Sequence, residues 1–388
     1  MARLRFLTAG ESHGKCLSAI IEGMPSGIPL DEGEMNHDMA RRQMGYGRGG
    51  RMKIEHDTME IVSGVRFGET IGGPITIIVK NRDHGNWGAK MATFGEPPDD
   101  LARVTAARPG HADLAGIEKY DRSDIRDILE RSSARETAMR VAVGAVAKQF
   151  LSRCGITVAS HVTNIGGVSI DRAKVKVSDI NGTSSELNCY DKDAEERMKE
   201  KIRAAKEAGD TLGGVFEVVA RGVPVGLGSH AEYDRRLDAR LAGAMMSIQA
   251  IKGVEIGDGF LYADMLGSEA HDEIYYEDGR VTRRTNHAGG IEGGMSNGET
   301  LVVRAAMKPI PTLMQPLHSI DVATREPVLA SKERSDVCAV SAASVVGEAM
   351  TAFVIADALL EKFGGDTLGD VLSSIASYKE RLKRNGFK

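Results

Sequence analysis

Apolar and polar positions along the chain alternate in short strand-like stretches and recur at helical spacing in longer ones. Arg3–Leu7 and Leu17–Glu22 read as two strands joined by a short, glycine-bounded loop. Asp31–Met44 reads as a charged helix that breaks at Gly45. Met59–Val65 and Pro74–Lys80 read as further β segments, the second carrying the run Ile75-Thr-Ile-Ile-Val79. Asn81–Arg108 has loop character and holds the only tryptophan, Trp87. The best-marked helix opens at Ser133-Ala-Arg-Glu136, a serine and glutamate at capping-box spacing. It continues with Ala138, Val141, Ala142, Ala145, Val146 and Phe150 at helical intervals. Ile156–Ile170 and Val215–Val225 are predicted strands, separated by a charged helix over Asp191–Ala208 that stops at Gly209. Asp234–Ile251 is predicted helical, with Leu237, Leu241, Ala244, Met245 and Ile248 on one face. Leu301–Met307 is strand-like and ends at Lys308-Pro309, and two helices follow, roughly Ser344–Phe363 and Leu368–Arg384. No fixed-period repeat and no composition break marks a boundary. The expectation is one α/β domain over residues 1–388, with strands and long helices in layers.

Composition narrows the class. A chain of 388 residues can bury a substantial core, and 50 basic against 55 acidic residues give a net charge of −5. A slightly acidic total disfavours a dedicated nucleic-acid binder. The mean hydropathy of −0.23, the lack of an apolar stretch near the ~18 residues a membrane span needs, and a polar start argue against insertion or secretion. A cytoplasmic protein with no membrane and no nucleic-acid partner is expected. Cys16, Cys154, Cys189 and Cys338 are far apart and form no Cys-x-x-Cys, so free thiols are expected. Glycine supplies 45 of the 388 residues, well above the ~7% average. Clusters at Gly45–Gly50, Gly213–Gly214 and Gly289–Gly294 allow close backbone approach to a ligand.

Several motifs match in letters but fail in context. Gly10-Glu-Ser-His-Gly14 has the form of a serine-hydrolase nucleophile elbow, yet the residues after Ser12 look β where an elbow needs a helix. A serine hydrolase is the alternative reading. Gly45-x-Gly47-x-x-Gly50 has dinucleotide-fingerprint spacing but follows a helix instead of a strand. Gly47-Arg-Gly-Gly-Arg51 is a single RGG-like copy in an acidic chain. The ten histidines show no metal-ligand spacing, so no metal site is expected. What remains is an arginine pattern. Arg41, Arg42, Arg48 and Arg51 surround the first glycine-rich loop, while Arg108, Arg131 and Arg135 lie near His111 and the helix start at Ser133. Guanidinium groups grip carboxylates and phosphates bidentately, and a helix N-terminus adds amide donors. A small polyanionic ligand follows, with His13 and His111 as candidate acid or base groups.

These residues fall in motifs that closely resemble the chorismate synthase family. They are Gly10-Glu-Ser-His-Gly14, Arg42-Gln-Met-Gly-Tyr-Gly-Arg48, Gly68-Glu-Thr-Ile-Gly-Gly-Pro-Ile75, Arg108-Pro-Gly-His-Ala-Asp113, Arg131-Ser-Ser-Ala-Arg-Glu-Thr137, Gly289-Gly-Ile-Glu-Gly-Gly-Met-Ser-Asn-Gly298 and Lys308-Pro-Ile-Pro-Thr312. The resemblance implies a β-α-β sandwich and a homotetramer. It implies conversion of 5-enolpyruvylshikimate 3-phosphate to chorismate and phosphate by 1,4-anti elimination, the last step of the shikimate pathway. The implied cofactor is reduced FMN, with reducing equivalents ultimately from NADPH through a separate reductase or chemical reductant. Carried over by position, Arg42, Arg48, Arg108 and Arg135 resemble binders of the substrate's anionic groups. His13 resembles the acid near the departing phosphate, and His111 the group beside the flavin N1 region. Ser12 and Asp336 resemble a relay that takes a proton from flavin N5. FMN contacts would fall on Arg131, Ser132, Ser133, Gln249, Ala250, Gly293, Lys308, Pro309, Ile310, Pro311, Thr312 and Arg334. One departure stands out. The family commonly has Arg-His-Asp-Pro-Cys where this chain reads Arg334-Ser-Asp336-Val337-Cys338.

Overall fold

Leu17, Ala19, Ile21, Ile75, Ile77 and Val79 are apolar at alternate positions of two segments, and extended backbone puts each set on one face. The computed structural model describes residues 3–49, 56–181, 185–332 and 336–386. The main elements, in chain order, are β1 (Arg5–Ala9), β2 (Cys16–Glu22), α1 (Glu32–Gln43), β3 (Glu60–Ser63), β4 (Ile75–Lys80), α2 (Asp113–Tyr120), α3 (Arg126–Ser132), α4 (Thr137–Arg153), β5 (Thr157–Ile165), β6 (Val168–Ser169), α5 (Lys192–Glu207), β7 (Gly214–Arg221), α6 (Leu237–Met246), β8 (Ile251–Ile256), β9 (Leu301–Met307), α7 (Val340–Phe363) and α8 (Leu368–Arg384).

An antiparallel sheet runs in the order β1-β2-β4-β3, and a second runs β8-β9-β7-β5-β6. Register pairs Leu17 with Val79, Ala19 with Ile77 and Ile21 with Ile75, so all six side chains point into the core onto α4. On its other side α4 packs against α7, and α7 packs against β5 and β7 of the second sheet. The result is a β-α-β sandwich with its helices in the middle. α7 is apolar on every side because it has a neighbour on every side, and its residues from Val340 to Leu360 are all buried. Among the described residues it is the one helix long and apolar enough to cross a membrane, but that stretch is wholly buried in the core. Two glycines set the helix spacing. A Cβ at Gly144 of α4 would lie 2.3 Å from Cβ of Ala349, and one at Gly347 of α7 would lie 2.4 Å from Phe216.

Three expectations need correction, and two short helices, α2 and α3, went unpredicted. The predicted helix over Asp234–Ile251 ends at Met246, and Ile251 opens strand β8, whose backbone pairs with β9. Ala250, at φ 67°, turns the chain between them. The stretch Ile156–Ile170 is two strands, because Gly166 and Gly167 turn a tight hairpin. The capping box forms only in part: Ser133 Oγ accepts from Arg135 N over a 3-10 turn, and the Glu136 side chain points elsewhere. Helices α2 and α3 have too few residues to show periodicity. Their Ile117, Ile125 and Leu129 make a small cluster of their own with Ala107.

Candidate functional site

The β1–β2 loop presents Ser12 and His13 to the start of α4. Ser12 N donates to the Glu130 carbonyl at 3.0 Å, and Ser133 Oγ donates to Ser12 Oγ at 3.3 Å. Ser12 runs into β2 where a nucleophile elbow needs a helix, which removes the hydrolase reading. His13 donates its backbone N–H to Glu130 Oε2 at 2.8 Å, and its Nδ1 lies 2.9 Å from Oε1. Burial alone would raise the Glu130 carboxyl, but bonds from His13 and Arg126 outweigh it and hold it below its usual range. An ionised carboxylate only accepts, so Nδ1 carries the proton. The His13 ring stacks on Trp87 with centroids 4.0 Å apart.

Beneath this loop lies a pair of arginines around one carboxylate. Arg42, in the last turn of α1, is 4% exposed and places Nη2 2.8 Å from Asp57 Oδ2. Arg135 donates to the same oxygen, and its Nε and Nη2 donate to Asn81 Oδ1 at 3.0 and 2.8 Å. Asn81 in turn donates to the Glu11 and Gly14 carbonyls, tying Arg135 to the His13 loop. Burial pushes Arg42 down to about 10; Asp57 opposes this, while Arg135 and Arg48 add to it. Burial would raise Asp57, but the two guanidiniums overcome it and hold its carboxyl low. Two cations share one anion here, and Arg42 Nε is buried without a hydrogen-bond partner among the described residues. Such a group is costly unless a ligand satisfies it.

The glycine-rich loop after α1 adds Arg48, whose Nη1 lies 3.2 Å from Asp336 Oδ2. Gly49 N donates to the other Asp336 oxygen at 2.6 Å. Gly45 and Gly47 have φ of 135° and 85°, and added Cβ atoms would meet Ser341 Oγ at 2.5 Å and Ile202 at 2.7 Å. The two glycines thus leave room for α7 and α5. The other clusters also meet mostly backbone: Cβ atoms at Gly213, Gly214, Gly289 and Gly290 would strike carbonyl or amide atoms. Arg51, Arg334 and Ser335 lie outside the described residues.

A second charged group surrounds Asp113. Arg108 donates Nε to Asp113 Oδ2 at 2.8 Å and Nη2 to Oδ1 at 3.0 Å, and His111 Nδ1 bonds the same carboxylate. Burial would raise Asp113, but His111 and Arg108 hold it far below its ordinary value. Arg108 Nη1 reaches Thr312 Oγ1 at 3.4 Å, and Lys308 Nζ donates to the Gly110 carbonyl. Lys308 N donates to Ala250 O at 2.9 Å, which joins the end of β9 to the α6–β8 turn. Gln249, one residue earlier, donates to Glu136, as do Thr8 and Arg140. Arg131 donates to the Thr8 carbonyl and hydroxyl.

The end of β1, the start of α4, the α6–β8 turn and the end of β9 therefore meet, bringing Ser12, His13, Arg131, Ser133, Arg135, Gln249, Ala250 and Lys308 into one connected group. Ser132 bonds its own helix at the Leu129 carbonyl, and Gly293 turns a short hairpin beside the start of α6. Among the described residues, Ser12 bonds Ser133 and Asp336 bonds Arg48. Sequence reasoning singled out the arginines and histidines but not Asp57, Asn81 or Glu130, which hold Arg42, Arg135 and His13. Asp113 stood inside a quoted motif; Asp57 had no local signal.

Fold and site together fit an enzyme acting on a small molecule, with buried guanidiniums, two carboxylate-held histidines and a serine that is not an elbow nucleophile. The family model described as chorismate synthase matches residues 4–360. The chorismate synthase of Geobacter sulfurreducens is 58% identical over 390 residues, covering 98% of this chain and 99% of the relative. That of Aquifex aeolicus is 56% identical, covering 98% of each. A structure titled "Crystal Structure of Chorismate Synthase" aligns with a TM-score of 0.79 and 46% identity over 98% of both chains. The chain belongs to the chorismate synthase family and is a lyase.

Proposed function

We propose that the chain converts 5-enolpyruvylshikimate 3-phosphate to chorismate and inorganic phosphate, with reduced FMN as cofactor, as a cytoplasmic homotetramer. The observation that supports this most is the group Arg42, Asp57 and Arg135, where two buried guanidiniums share one carboxylate and one N–H lacks a partner. A ligand with a phosphate and two carboxylates supplies the missing acceptors. Arg42, Arg48, Arg108 and Arg135 bind these groups, and His13 gives a proton to the departing phosphate. With Nδ1 turned to Glu130, the nitrogen that serves the phosphate is Nε2.

The residues assigned to FMN fit it chemically. Lys308 and Arg131 are cations for its phosphate, the Gln249 Oε1 acceptor is buried without a partner among the described residues, and Thr312 has a hydroxyl beside Arg108. When bound, reduced FMN lends an electron for cleavage of the carbon–oxygen bond and recovers it, with no net redox change. Ser132, Ser133, Ala250, Gly293 and residues 309–311 line it, with Arg334 beyond the described residues. His111, oriented by Asp113, lies on the flavin side of the site. Asp336 and Ser12 form the proton relay there, Asp336 being held by Arg48 and by Gly49 N.

An anaerobic phosphate-release assay tests the proposal. With 5-enolpyruvylshikimate 3-phosphate and photoreduced FMN, phosphate and chorismate should appear in equal amounts. Release with oxidised FMN, or none with reduced FMN, overturns it.

A further inference from the structure

We infer that Glu130 and Trp87 are positioning residues for His13, which together hold its ring in one orientation, with Nδ1–H on Glu130 and the Nε2–H edge serving the phosphate. The inference rests on the reading of His13 as the acid for the departing phosphate. Neither residue belongs to the motifs that carry the family resemblance. Glu130 takes both the backbone N–H and Nδ1 of His13, and its own side chain is only 2% exposed. Arg126 fixes it from the other side, with Nη1 2.9 Å from Oε1. The backbone of Glu130 also holds Ser12, so one residue sets the loop at two successive positions.

Trp87 closes the ring face. Its indole lies 4.0 Å from the imidazole centroid at an interplanar angle of 29°, a stacked pair. The indole is itself held: Nε1 donates to Asp83 Oδ2 at 3.2 Å, and the Arg126 guanidinium and the Lys90 ammonium lie 4.9 and 5.5 Å from its centroid. Arg126 therefore joins both supports, bonded to Glu130 and packed on Trp87. His84 Nδ1 lies 3.1 Å from the His13 carbonyl, which fixes the backbone as well. Among the described residues, the charged and titratable groups facing His13 and its stack are Glu130, Arg126, Asp83, His84 and Lys90. A residue present only for packing would put its ring among apolar side chains, but Trp87 is half-buried between an imidazole and two cations. An unheld histidine side chain has several rotamers. Holding it in one makes every encounter with the phosphate a productive one.

A double-mutant cycle in the full-length enzyme tests this, with reduced FMN and 5-enolpyruvylshikimate 3-phosphate. Glu130→Gln and Trp87→Ala should each lower kcat about tenfold or more while KM stays within about threefold. Trp87→Phe keeps a stacking ring and should recover most of the loss. In a His13→Gln background neither second substitution should lower kcat further, because the group they serve is gone. A second readout needs no activity. Trp87 is the only tryptophan, so its emission in the ligand-free protein should change when His13→Gln removes the stacked ring. Glu130→Gln should produce the same change by releasing it. Additive losses in the double variants, or unchanged emission in Glu130→Gln, overturn the inference. Wild-type turnover in His13→Gln instead overturns the role of His13 as acid, and the emission measurements still decide whether Glu130 holds the ring.

Discussion

Arg42, Arg48, Arg108 and Arg135 each meet a carboxylate, and that decides what a substitution there does. Asp57 separates Arg42 from Arg135 and is itself buried. Asp57→Asn keeps the shape and removes the charge, leaving two buried guanidiniums with no anion between them. Destabilisation of about 3–5 kcal/mol is expected, the range for breaking a buried pair, and a denaturant titration measures it. Added substrate should restore part of the loss, because its anionic groups take the empty place. His111 is held by Asp113, and the proposed function puts it beside the flavin. His111→Ala should fold normally and lose about 10²–10⁴-fold in turnover, the range for a positioned acid–base group. Its affinity should fall for reduced FMN and hardly change for oxidised FMN; equal losses would reduce His111 to a packing role. The departure near Asp336 also has a structural consequence. Val337 N–H donates to the Gly47 carbonyl at 2.9 Å, a bond that proline, common at this place in the family, cannot make. The arginine loop is thus tied to the segment before α7 through a backbone N–H that any residue but proline supplies.

Helix α1 owes its position to a buried ionic network next to Arg42. Arg41 bonds both oxygens of Glu348 on α7, at 2.8 and 2.9 Å, and also Asp38. Lys148 of α4 bonds Glu348 and Asp38, and Ser160 of β5 donates to Glu348 at 3.0 Å. Three helices and a strand are pinned to one carboxylate. Burial would raise Glu348, but Lys148 and Arg41 hold it low. Glu348→Gln should therefore cost about 3–5 kcal/mol of stability and should raise KM, since Arg42 follows Arg41 directly. A melting curve paired with steady-state kinetics checks both; unchanged KM would separate the network from the site. The periods of α1, α4, α5 and α8 were legible because each shows a polar face or a clear stop in the sequence. The turn before β8 was not legible. Apolar Met245, Ile248 and Ile251 fit a helix face as well as a helix-to-strand passage, and only pairing with β9 decides between them.

Charge linkage ties these local networks to the stability of the whole molecule. Asp57, Asp113, Glu130, Glu136, Glu217 and Glu348 all have carboxyls held below their ordinary values. A depressed folded-state value means that the stabilisation is complete above the unfolded value of about 4 and is lost as pH falls through the folded one. The melting temperature should therefore stay nearly level from about pH 8 to 6 and fall steeply below about pH 4. A level curve down to about pH 3 would show that these pairs contribute little. The sequence alone determined the layered α/β class, most strands and long helices, the arginines and histidines of the site, and the family. These are written in short-range period and in motifs, because backbone hydrogen bonding repeats every two residues in a strand and every 3.6 in a helix. Tertiary structure alone decided which carboxylate Arg42 and Arg135 meet, since Asp57 lies 15 residues from Arg42 and 78 from Arg135. It also decided that Gly45 and Gly47 make room for α7 and α5, and that Glu130 and Trp87 hold His13. Those partners are chosen by burial and charge across the fold, and nothing in the spacing of residues along the chain records that choice.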